Sequence, residues 1–482
     1  MDYSQFLMMP QEIGLLVVIL LVFFYDLAMP KSLQPKLPLF ASIMMLLFTV
    51  IQGVLGCNIS VGSAFAGMYE STLPTIVFKN ILNVGMVLVL FQSIKWSNSE
   101  FVAVRRGEFY SLLLTTLLGM YFMISARHFL LFVIGLEMAS LPLAALVAFD
   151  KKYYESHEAA AKYMFTAIFS SAVFMMGLSF VYALSGSLYF NDISHKIISG
   201  ESALLVVALA FVIAGVGFKL SLVPFHLWTA DVYQGAPTSV TSYLSVISKG
   251  AAAFAFFIIL TQVFGSVYSQ VWEWMLYALI ILTITIGNLF AIRQRNLKRF
   301  LAFSSISQAG YIMLGVVADT QIGLGALMYY VLVYIFSNLA AFGVIQAIEN
   351  NTGKVTIDDY NGLYQTNPYL SFTMMLAMFS LAGIPPFAGF FSKFFIFSAA
   401  LQPGSIALYI LVLIALINTI ISLYYYLLVV KAMFIVPNEN PIAKFKSACS
   451  ERSVMIVCVL GIILLGIVSM FYTYLNHIAT AI

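Results

Sequence analysis

The stretch GVGFKLSLVPFHLWTADVYQGAPTSVTSYLSVISKGA, residues 215–251, joins two strongly apolar segments. Each segment carries one lysine with no acidic residue close to it in sequence, Lys219 before Pro224 and Lys249 after Pro237. Proline removes a backbone donor and clashes with the preceding helical turn, so we predict that a helix breaks at Pro224. Ionisable side chains beside a broken helix at membrane depth indicate an ion pathway.

The composition predicts an all-α polytopic membrane protein. Of the 482 residues, 62% are hydrophobic and 9% are charged, and the mean hydropathy is +0.98. Soluble domains carry roughly 25% charged residues, and a membrane-spanning helix needs about 20 apolar residues. The hydropathy pattern predicts fourteen helices, near residues 11–29, 37–57, 75–95, 109–125, 128–149, 158–185, 202–227, 237–262, 270–292, 299–317, 321–348, 369–400, 404–434 and 452–475.

The distribution of basic residues predicts the orientation. With the N-terminus placed outside, the inner loops hold most of the 23 lysine and arginine residues. The outer loops and helix ends then hold Lys79, Arg127 and Lys196. This asymmetry favours fourteen spans under the positive-inside rule. We expect a multi-pass protein of the cell inner membrane, with both termini on the outer, periplasmic side.

The order of the predicted helices suggests an internal repeat. We expect an N-terminal three-helix segment (1–108), two five-helix repeats (109–262 and 263–434) and a C-terminal loop with the last helix (435–482). Each repeat contains a broken helix that carries a lysine, and in the second repeat Lys393 follows Pro385 and Pro386. Because five is an odd number of spans, the second repeat would be inverted relative to the first.

Four ionisable residues inside predicted helices are the main candidates for proton translocation. They are Glu137, Lys219, Lys249 and Lys393. Burying an ammonium in hydrocarbon disfavours its charged form, so a lysine at this depth can load and release a proton. Glu137 is the carboxylate farthest inside a predicted span, and we expect it to pair with a membrane lysine. For the lysines, the alternatives are snorkelling to the interface or a structural polar contact.

Two further residues are weaker candidates. His226 follows the break at Pro224 and could relay protons, because an unperturbed histidine titrates near neutral pH. A satisfied structural histidine is the alternative. Lys162 lies four residues after Glu158, a spacing that is typical of an ion pair near a helix end, and that pair is the alternative to a place in the pathway.

The sequence predicts no cofactor-binding or metal site in this chain. Cys57, Cys449 and Cys458 form neither a CxxC pair nor an iron–sulfur spacing. GxGxxG and P-loop motifs are absent from the sequence. The net charge of +3 is carried by short scattered loops, so we expect the lipid bilayer and no nucleic acid among the partners. Any energy for transport would come from partner subunits or from an ion gradient.

Several motifs together resemble the antiporter-like membrane subunits of proton-pumping NADH:quinone oxidoreductase, respiratory complex I. They are GLEMASLPLAAL, GFKLSLVPFHLWTADVYQGAPTSV, SKGAAAF, LKRFLAFSSISQAGYIMLG and LAGIPPFAGFFSKFFIF, which extend over predicted helices four to thirteen. Within the family the chain most resembles the N-type subunit, the counterpart of mitochondrial subunit 2. It ends soon after the fourteenth helix, has Lys249 in the eighth, and has Lys393 where the M-type subunit carries glutamate.

The resemblance implies two inverted five-helix repeats and a hydrated polar axis at mid-membrane. It implies that Glu137 and Lys219 form a modulating ion pair. Lys249 would be the central proton carrier and Lys393 the terminal site towards the outer side, while His226 falls in the family's broken helix. NADH, FMN, iron–sulfur clusters and quinone would be bound by partner subunits. The neighbouring partners would be an M-type subunit and small membrane subunits.

The motifs alone leave two other functions open. Related subunits occur in multisubunit cation/proton antiporters and in membrane-bound hydrogenases, so the chain could belong to an exchanger that lacks a redox reaction. A structural scaffold with vestigial polar residues is a third possibility.

Overall fold

The computed structural model describes residues 3–55, 61–197, 203–265, 269–318, 320–468 and 470–480. Most of these residues are helical. The helices are α1 (Pro10–Ala28), α2 (Leu37–Leu55), α3 (Leu73–Ser97), α4 (Arg106–Ser125), α5 (Phe129–Val147), α6 (Tyr154–Ser185), α7 (Phe190–Ile197), α8 (Ala203–Leu220), α9 (Leu227–Gly235), α10 (Thr238–Tyr243), α11 (Lys249–Val263), α12 (Ser269–Ile292), α13 (Leu297–Val317), α14 (Gln321–Thr352), α15 (Leu363–Thr366), α16 (Pro368–Ala382), α17 (Ala388–Leu401), α18 (Ile406–Phe434), α19 (Cys449–Ile467) and α20 (Met470–Ala479).

The shorter elements lie at helix ends and in connections. A π-helical segment, Leu244–Ser248, joins α10 to α11. Short 3-10 helices occur at Tyr3–Met8, Gln34–Lys36, Ala103–Arg105 and Asp358–Tyr360. Two antiparallel strands, β1 (Gly62–Ala64) and β2 (Tyr69–Ser71), form a hairpin before α3, with Gly62 paired to Ser71. The sequence predicted neither the hairpin nor α7.

The prediction of about fourteen membrane spans is confirmed. Within the described ranges, thirteen helices are long and apolar enough to cross a bilayer. Helices α16 and α17 are apolar but each is too short for a hydrocarbon core of about 30 Å. Together, with the predicted break between them at residues 383–387, they supply a further span.

The other broken span differs from the prediction in one respect. Helix α8 ends at Leu220, so the helix stops before Pro224 as expected, but residues 228–236, predicted as a turn, lie mostly in α9. Ser170 of α6 donates a hydrogen bond to the Gly215 carbonyl at 2.9 Å, and Asp231 contacts Lys162, nearer the start of α6. Helices α8 and α9 therefore run along α6 in one direction, as two parts of one span.

The last predicted helix, 452–475, is also wrong in extent. The chain forms two helices there, α19 and α20, because helical geometry ends at Ile467 and begins again at Met470. The predicted helix end at residue 57 and the predicted start at residue 202 lie outside the described residues. The four-part division of the chain and the inversion of its repeats stay predictions.

Helix α13 lies at the centre of the molecule. Apart from Arg299, every one of its residues is buried, although the helix carries Ser304, Ser305, Ser307 and Gln308. It packs against α9, α12, α14 and α17. Polar side chains buried this deeply need hydrogen-bond partners, so α13 brings a row of polar groups between the two broken spans.

Candidate functional site

The first broken span exposes backbone groups inside the molecule. Ser221 has a positive φ of 62°, which ends α8. The Val223 amide then donates to Thr283 Oγ1 of α12 at 2.9 Å, and the Trp228 indole donates to the Phe218 carbonyl at 3.3 Å. Backbone groups freed by a break at membrane depth must be paired with protein or water. These side chains provide that pairing.

Lys219 is held against α5. Its side chain is buried, and Nζ donates to Ser140 Oγ at 2.7 Å and to the Ala139 carbonyl at 3.1 Å. The close approach of α4 to α5 fixes this part of α5, since a Cβ on Gly119 would lie only 2.5 Å from the Ala139 nitrogen. The ammonium therefore has a well-defined position with neutral oxygen partners.

Glu137 lies near Lys219 but does not contact it. Glu137 is half-buried and acts electrostatically on Lys219, yet among the described residues no ion pair within 4 Å joins the two. On α5, Glu137 shares a face with the exposed side chains Leu130, Ile134 and Leu141. Its side chain thus lies on the exposed face of α5, two residues before the carbonyl and three before the hydroxyl that Lys219 contacts. The role of this pair as a switch stays a prediction.

Lys249 follows directly after the π-helical segment Leu244–Ser248. Its ammonium is buried and donates to Ser305 Oγ of α13 at 2.7 Å. It also lies 5.5 Å from the centre of the Tyr233 ring on α9. Segments of π-helix are frequently found at functional sites, because they displace side chains from regular helical register. Lys249 is thereby placed where α9, α11 and α13 meet.

Lys393 folds back onto the second break. Its buried ammonium donates to the carbonyls of Leu381 at 2.9 Å and Ala382 at 3.1 Å, at the C-terminal end of α16. These carbonyls have no partner within the helix, and the negative end of the helix dipole favours a cation there. Gly383, with φ of 87°, ends α16 and allows this close approach.

The weaker candidates lie at the edge of this arrangement. His226 is half-buried, and its Nδ1 is a buried atom without a hydrogen-bond partner among the described residues. Lys162 forms ion pairs with Glu158 and with Asp231, each at 2.6 Å, and its side chain is 41% exposed. The i,i+4 contact with Glu158 is thus present, whereas the part that either residue plays in proton transfer stays a prediction.

Polar groups that sequence reasoning missed connect Lys249 to Lys393. Ser305 binds Lys249, and one turn farther along α13 the Gln308 amide donates to the Leu381 carbonyl at 3.4 Å, which also accepts from Lys393. The Tyr330 hydroxyl donates to Gln308 Oε1. The signal in the sequence was the polar run SSISQ within an otherwise apolar helix, residues 304–308.

A second missed feature is an ion pair between the first and third spans. Lys79 Nζ of α3 lies 2.5 Å from Glu12 Oε1 of α1, and the two side chains are 0% and 3% exposed. By sequence, Lys79 falls among the outer helix ends and Glu137 is the carboxylate farthest inside a predicted span, so this pair is not predicted. The only signal for the pair in the sequence was that Glu12 and Lys79 both lie near the outer ends of predicted helices.

The site contains nothing that suggests a metal centre. Among the described residues, no group of three or more histidine, cysteine, aspartate or glutamate side chains is placed to hold a metal ion. The buried ammonium, hydroxyl and amide groups can bind and pass protons, and they have no redox chemistry of their own.

Comparison with known proteins decides the family. The transmembrane family described as NADH:quinone oxidoreductase/Mrp antiporter matches residues 126–422. A Phocaeicola vulgatus protein named NADH-quinone oxidoreductase subunit N is 54% identical over 480 residues, which cover 99% of this chain and 100% of the relative. The chain belongs to the antiporter-like membrane subunits of NADH:quinone oxidoreductase. The resemblance to the N-type subunit that the motifs predicted is confirmed.

Solved structures of the family share the fold. A chain of respiratory complex I from Thermus thermophilus with bound aureothin is 31% identical, with a TM-score of 0.78, over 95% of this chain and 96% of that one. A chain of the Mrp complex from Dietzia sp. DQ12-45-1b superimposes with a TM-score of 0.85 over 100% and 97% of the two chains, at 20% identity. This second likeness shows that the fold is common to redox-linked and antiporter complexes.

Proposed function

We propose that this chain is a proton-translocating membrane-arm subunit of an NADH:quinone oxidoreductase. It moves protons along Glu137, Lys219, Lys249 and Lys393, driven by redox reactions in other subunits. One observation carries the proposal. In a chain 54% identical to a subunit N, three buried lysines at helix irregularities donate to neutral oxygens.

The proton passes from Lys249 towards Lys393 along α13. Lys249 loads a proton from the inner side and passes it to the Ser305 hydroxyl, its hydrogen-bond partner, as that hydroxyl gives its own proton to a water molecule. Gln308 then aligns the approach to Lys393, because its amide and the Lys393 ammonium share the Leu381 carbonyl. Water completes the steps that the side chains do not span, and Lys393 releases the proton on the outer side.

Glu137 and Lys219 control when Lys249 gives up its proton. When a neighbouring subunit changes the charge near Glu137, Lys219 exchanges its bond to Ser140 for the carboxylate. This movement changes the positive potential felt by Lys249. Moving one elementary charge across 100 mV requires about 2.3 kcal/mol. A change of less than about two units in the pKa of Lys249 supplies this free energy.

The partners follow from this assignment. Other membrane-arm subunits, an M-type subunit and small membrane subunits, lie beside the chain, and NADH, FMN, iron–sulfur clusters and quinone are bound elsewhere in the complex. We place the complex in the cell inner membrane, with both termini of this chain on the outer side. His226 and Lys162 contribute to proton uptake at the first broken span.

The test is replacement of Lys249 by alanine in the assembled complex. We expect normal NADH oxidation by the uncoupled enzyme and a several-fold decrease in protons pumped per NADH, measured in sealed vesicles with a pH-sensitive dye. Lys354→Ala, which removes an exposed loop lysine, serves as the control and leaves pumping unchanged. Unchanged pumping by an assembled Lys249→Ala complex would refute the proposal.

A cation/proton exchanger subunit, or a subunit of a membrane-bound hydrogenase, is the second candidate, and the shared fold favours neither. The two classes differ in what drives transport. Vesicles containing the complex acidify on addition of NADH if the first assignment holds. Sodium-driven proton exchange in the absence of NADH identifies an exchanger. A purely structural role predicts that Lys249→Ala reduces assembly without a selective loss of pumping.

A further inference from the structure

The pair formed by Glu12 and Lys79 lies outside the site described above. Tyr69 of β2 donates to Glu12 Oε2 at 2.9 Å, and Lys79 Nζ lies 3.4 Å from the Tyr69 hydroxyl. Burial and the Glu12 carboxylate raise the pKa of Tyr69 well above its ordinary value, so this hydroxyl remains a donor. A buried ion pair is often no more stabilising than apolar residues of the same size. The presence of this pair therefore calls for an explanation other than stability.

Polar groups continue from this pair towards mid-membrane. The Tyr121 hydroxyl of α4 donates to Asn83 Oδ1, and Asn83 lies one turn deeper in α3 than Lys79. Lys79 Nζ lies 5.4 Å from the centre of the Tyr121 ring. Asn83 Nδ2 is buried and has no hydrogen-bond partner among the described residues. A water molecule bound at such an atom would satisfy it and extend the polar groups towards mid-membrane.

A row of buried tyrosines connects this cluster to Lys249. Tyr243 lies six residues before Lys249 in the same span, and its hydroxyl donates to Met120 Sδ of α4 at 3.5 Å, beside Tyr121. Lys249 lies against the ring that begins the row, and Thr116 donates to its third member at 2.7 Å. In order from Lys249, the row consists of Tyr233, Tyr163, Tyr243 and Tyr121, and the Trp228 ring contacts the first two, with ring centres 6.5 and 5.3 Å apart.

The cluster also reaches the membrane surface. The hairpin residue next to Tyr69, Glu70, forms an ion pair with Arg127, and its side chain is 37% exposed. Glu12 is the third residue of α1, so it lies within one turn of the helix end. The loop charges predict that this end faces the outer side.

We propose that Glu12 and Lys79 form a second proton-release site on the outer side, which receives protons from Lys249 through the tyrosine row. A proton that arrives along the row binds to the Glu12 carboxylate and breaks the ion pair. The Lys79 ammonium then has no counter-ion, and its positive charge favours loss of this proton from the Glu12 carboxyl to the outer surface. The ion pair then forms again. One proton enters and one leaves. This inference rests on the proposed function and adds a release path separate from Lys393.

Two variants of the assembled complex test this inference. Glu12→Gln combined with Lys79→Met removes both charges, so neither is left buried without a partner. Tyr121→Phe removes only the hydroxyl and keeps the ring. For both variants we expect fewer protons pumped per NADH than in the parent enzyme, at unchanged NADH oxidation by uncoupled vesicles. The double variant should show the larger decrease.

The control is Tyr110→Phe, which removes another buried hydroxyl of α4, one that bonds to Ser93 and Ser97 and is not part of the row. A normal ratio of protons to NADH in assembled Tyr121→Phe enzyme overturns the inference, and so does an equal decrease in the control. If the double variant does not assemble, the Tyr121→Phe result decides. Lys249→Ala separates the two proposals. If it lowers pumping several-fold while Tyr121→Phe leaves pumping unchanged, only the second release site fails.

Discussion

The buried lysines of this chain fall into two chemical groups. Lys219, Lys249 and Lys393 donate to hydroxyl or carbonyl oxygens, whereas Lys79 and Lys298 contact carboxylates. An ammonium in an apolar environment is costly unless a negative charge neutralises it. Releasing a proton therefore costs less free energy for a lysine of the first group than for a lysine of the second group. This difference separates proton carriers from groups that mainly hold charge.

Replacement of Lys249 by arginine tests whether the residue carries a proton or only a charge. Arginine keeps the positive charge and can still donate to Ser305, but its guanidinium does not lose its proton in proteins. We expect Lys249→Arg to pump as poorly as Lys249→Ala, measured as protons per NADH in sealed vesicles. If the arginine variant pumps normally, Lys249 acts as a fixed charge and does not carry the proton.

Ser140 is expected to set the resting position of Lys219. The variant Ser140→Ala removes the 2.7 Å hydrogen bond, and hydrogen bonds to charged groups contribute about 1.5–3 kcal/mol. Lys219 should then move towards Glu137, so we expect a lower pumping rate with normal assembly. In the Glu137→Gln background the same substitution should have a smaller effect, because the carboxylate that attracts Lys219 is absent. Equal effects in both backgrounds would contradict the switch.

The sequence was informative about single residues only where an ionisable group interrupts an apolar run. That signal selected Glu137, Lys219, Lys249 and Lys393 as candidates, and their part in proton transfer stays a prediction. It could not identify Ser140 or Ser305, because serine is common in membrane helices and its partner is known only from packing. Nor could it pair Glu12 with Lys79, since these residues lie 67 positions apart on different helices.

At the scale of elements, the breaks at Pro224 and Pro385 were predictable because proline removes a backbone donor, although Pro142 lies inside α5 without ending that helix. Helix α9 was not predictable. Its nine residues are only weakly apolar and end at Gly235. Contacts with α6 and α13 hold them as a helix. Asp231 supplies two of these contacts, an ion pair with Lys162 and one with Arg299 at 2.5 Å. Tertiary contacts of this kind are not visible in a local sequence pattern.

Gly383 tests how closely the second break is coupled to Lys393. A Cβ at this position would lie 3.2 Å from Lys393 Cδ and 3.5 Å from Nζ. The positive φ adds a cost of about 1–2 kcal/mol for alanine. We expect Gly383→Ala to displace Lys393 from the α16 carbonyls and to lower protons pumped per NADH.

Gly353 provides the matched control. It also has a positive φ, 70°, but a Cβ there would meet nothing within 4 Å. Gly353→Ala therefore has the same backbone cost without the contact with Lys393, and we expect normal pumping. If the two variants have the same effect, backbone strain alone explains the result and the coupling between Gly383 and Lys393 is refuted.

At the scale of the whole molecule, one ion pair and one hydrogen bond connect the two predicted repeats. Asp231 precedes the boundary near residue 263 and binds Arg299 beyond it, and Lys298 donates to the Ala236 carbonyl at 2.9 Å. Lys298 also lies 3.3 Å from Glu349. All of these residues lie near the end of the molecule that the loop charges predict to be the inner one. The two broken spans thus share a common polar support on the side where protons enter.

The orientation itself can be tested with the chain's own cysteines. Cys449 is exposed at the start of α19, Cys458 is buried, and Cys57 can be replaced by serine. The loop charges predict that Cys449 faces the inner side, so a membrane-impermeant maleimide should label it in inside-out vesicles and leave it unlabelled in right-side-out vesicles. Gln402→Cys, in the exposed turn after α17, should show the opposite pattern. If Cys449 is labelled from the outer side, the orientation is reversed, and the Glu12 end of the molecule would then take up protons instead of releasing them.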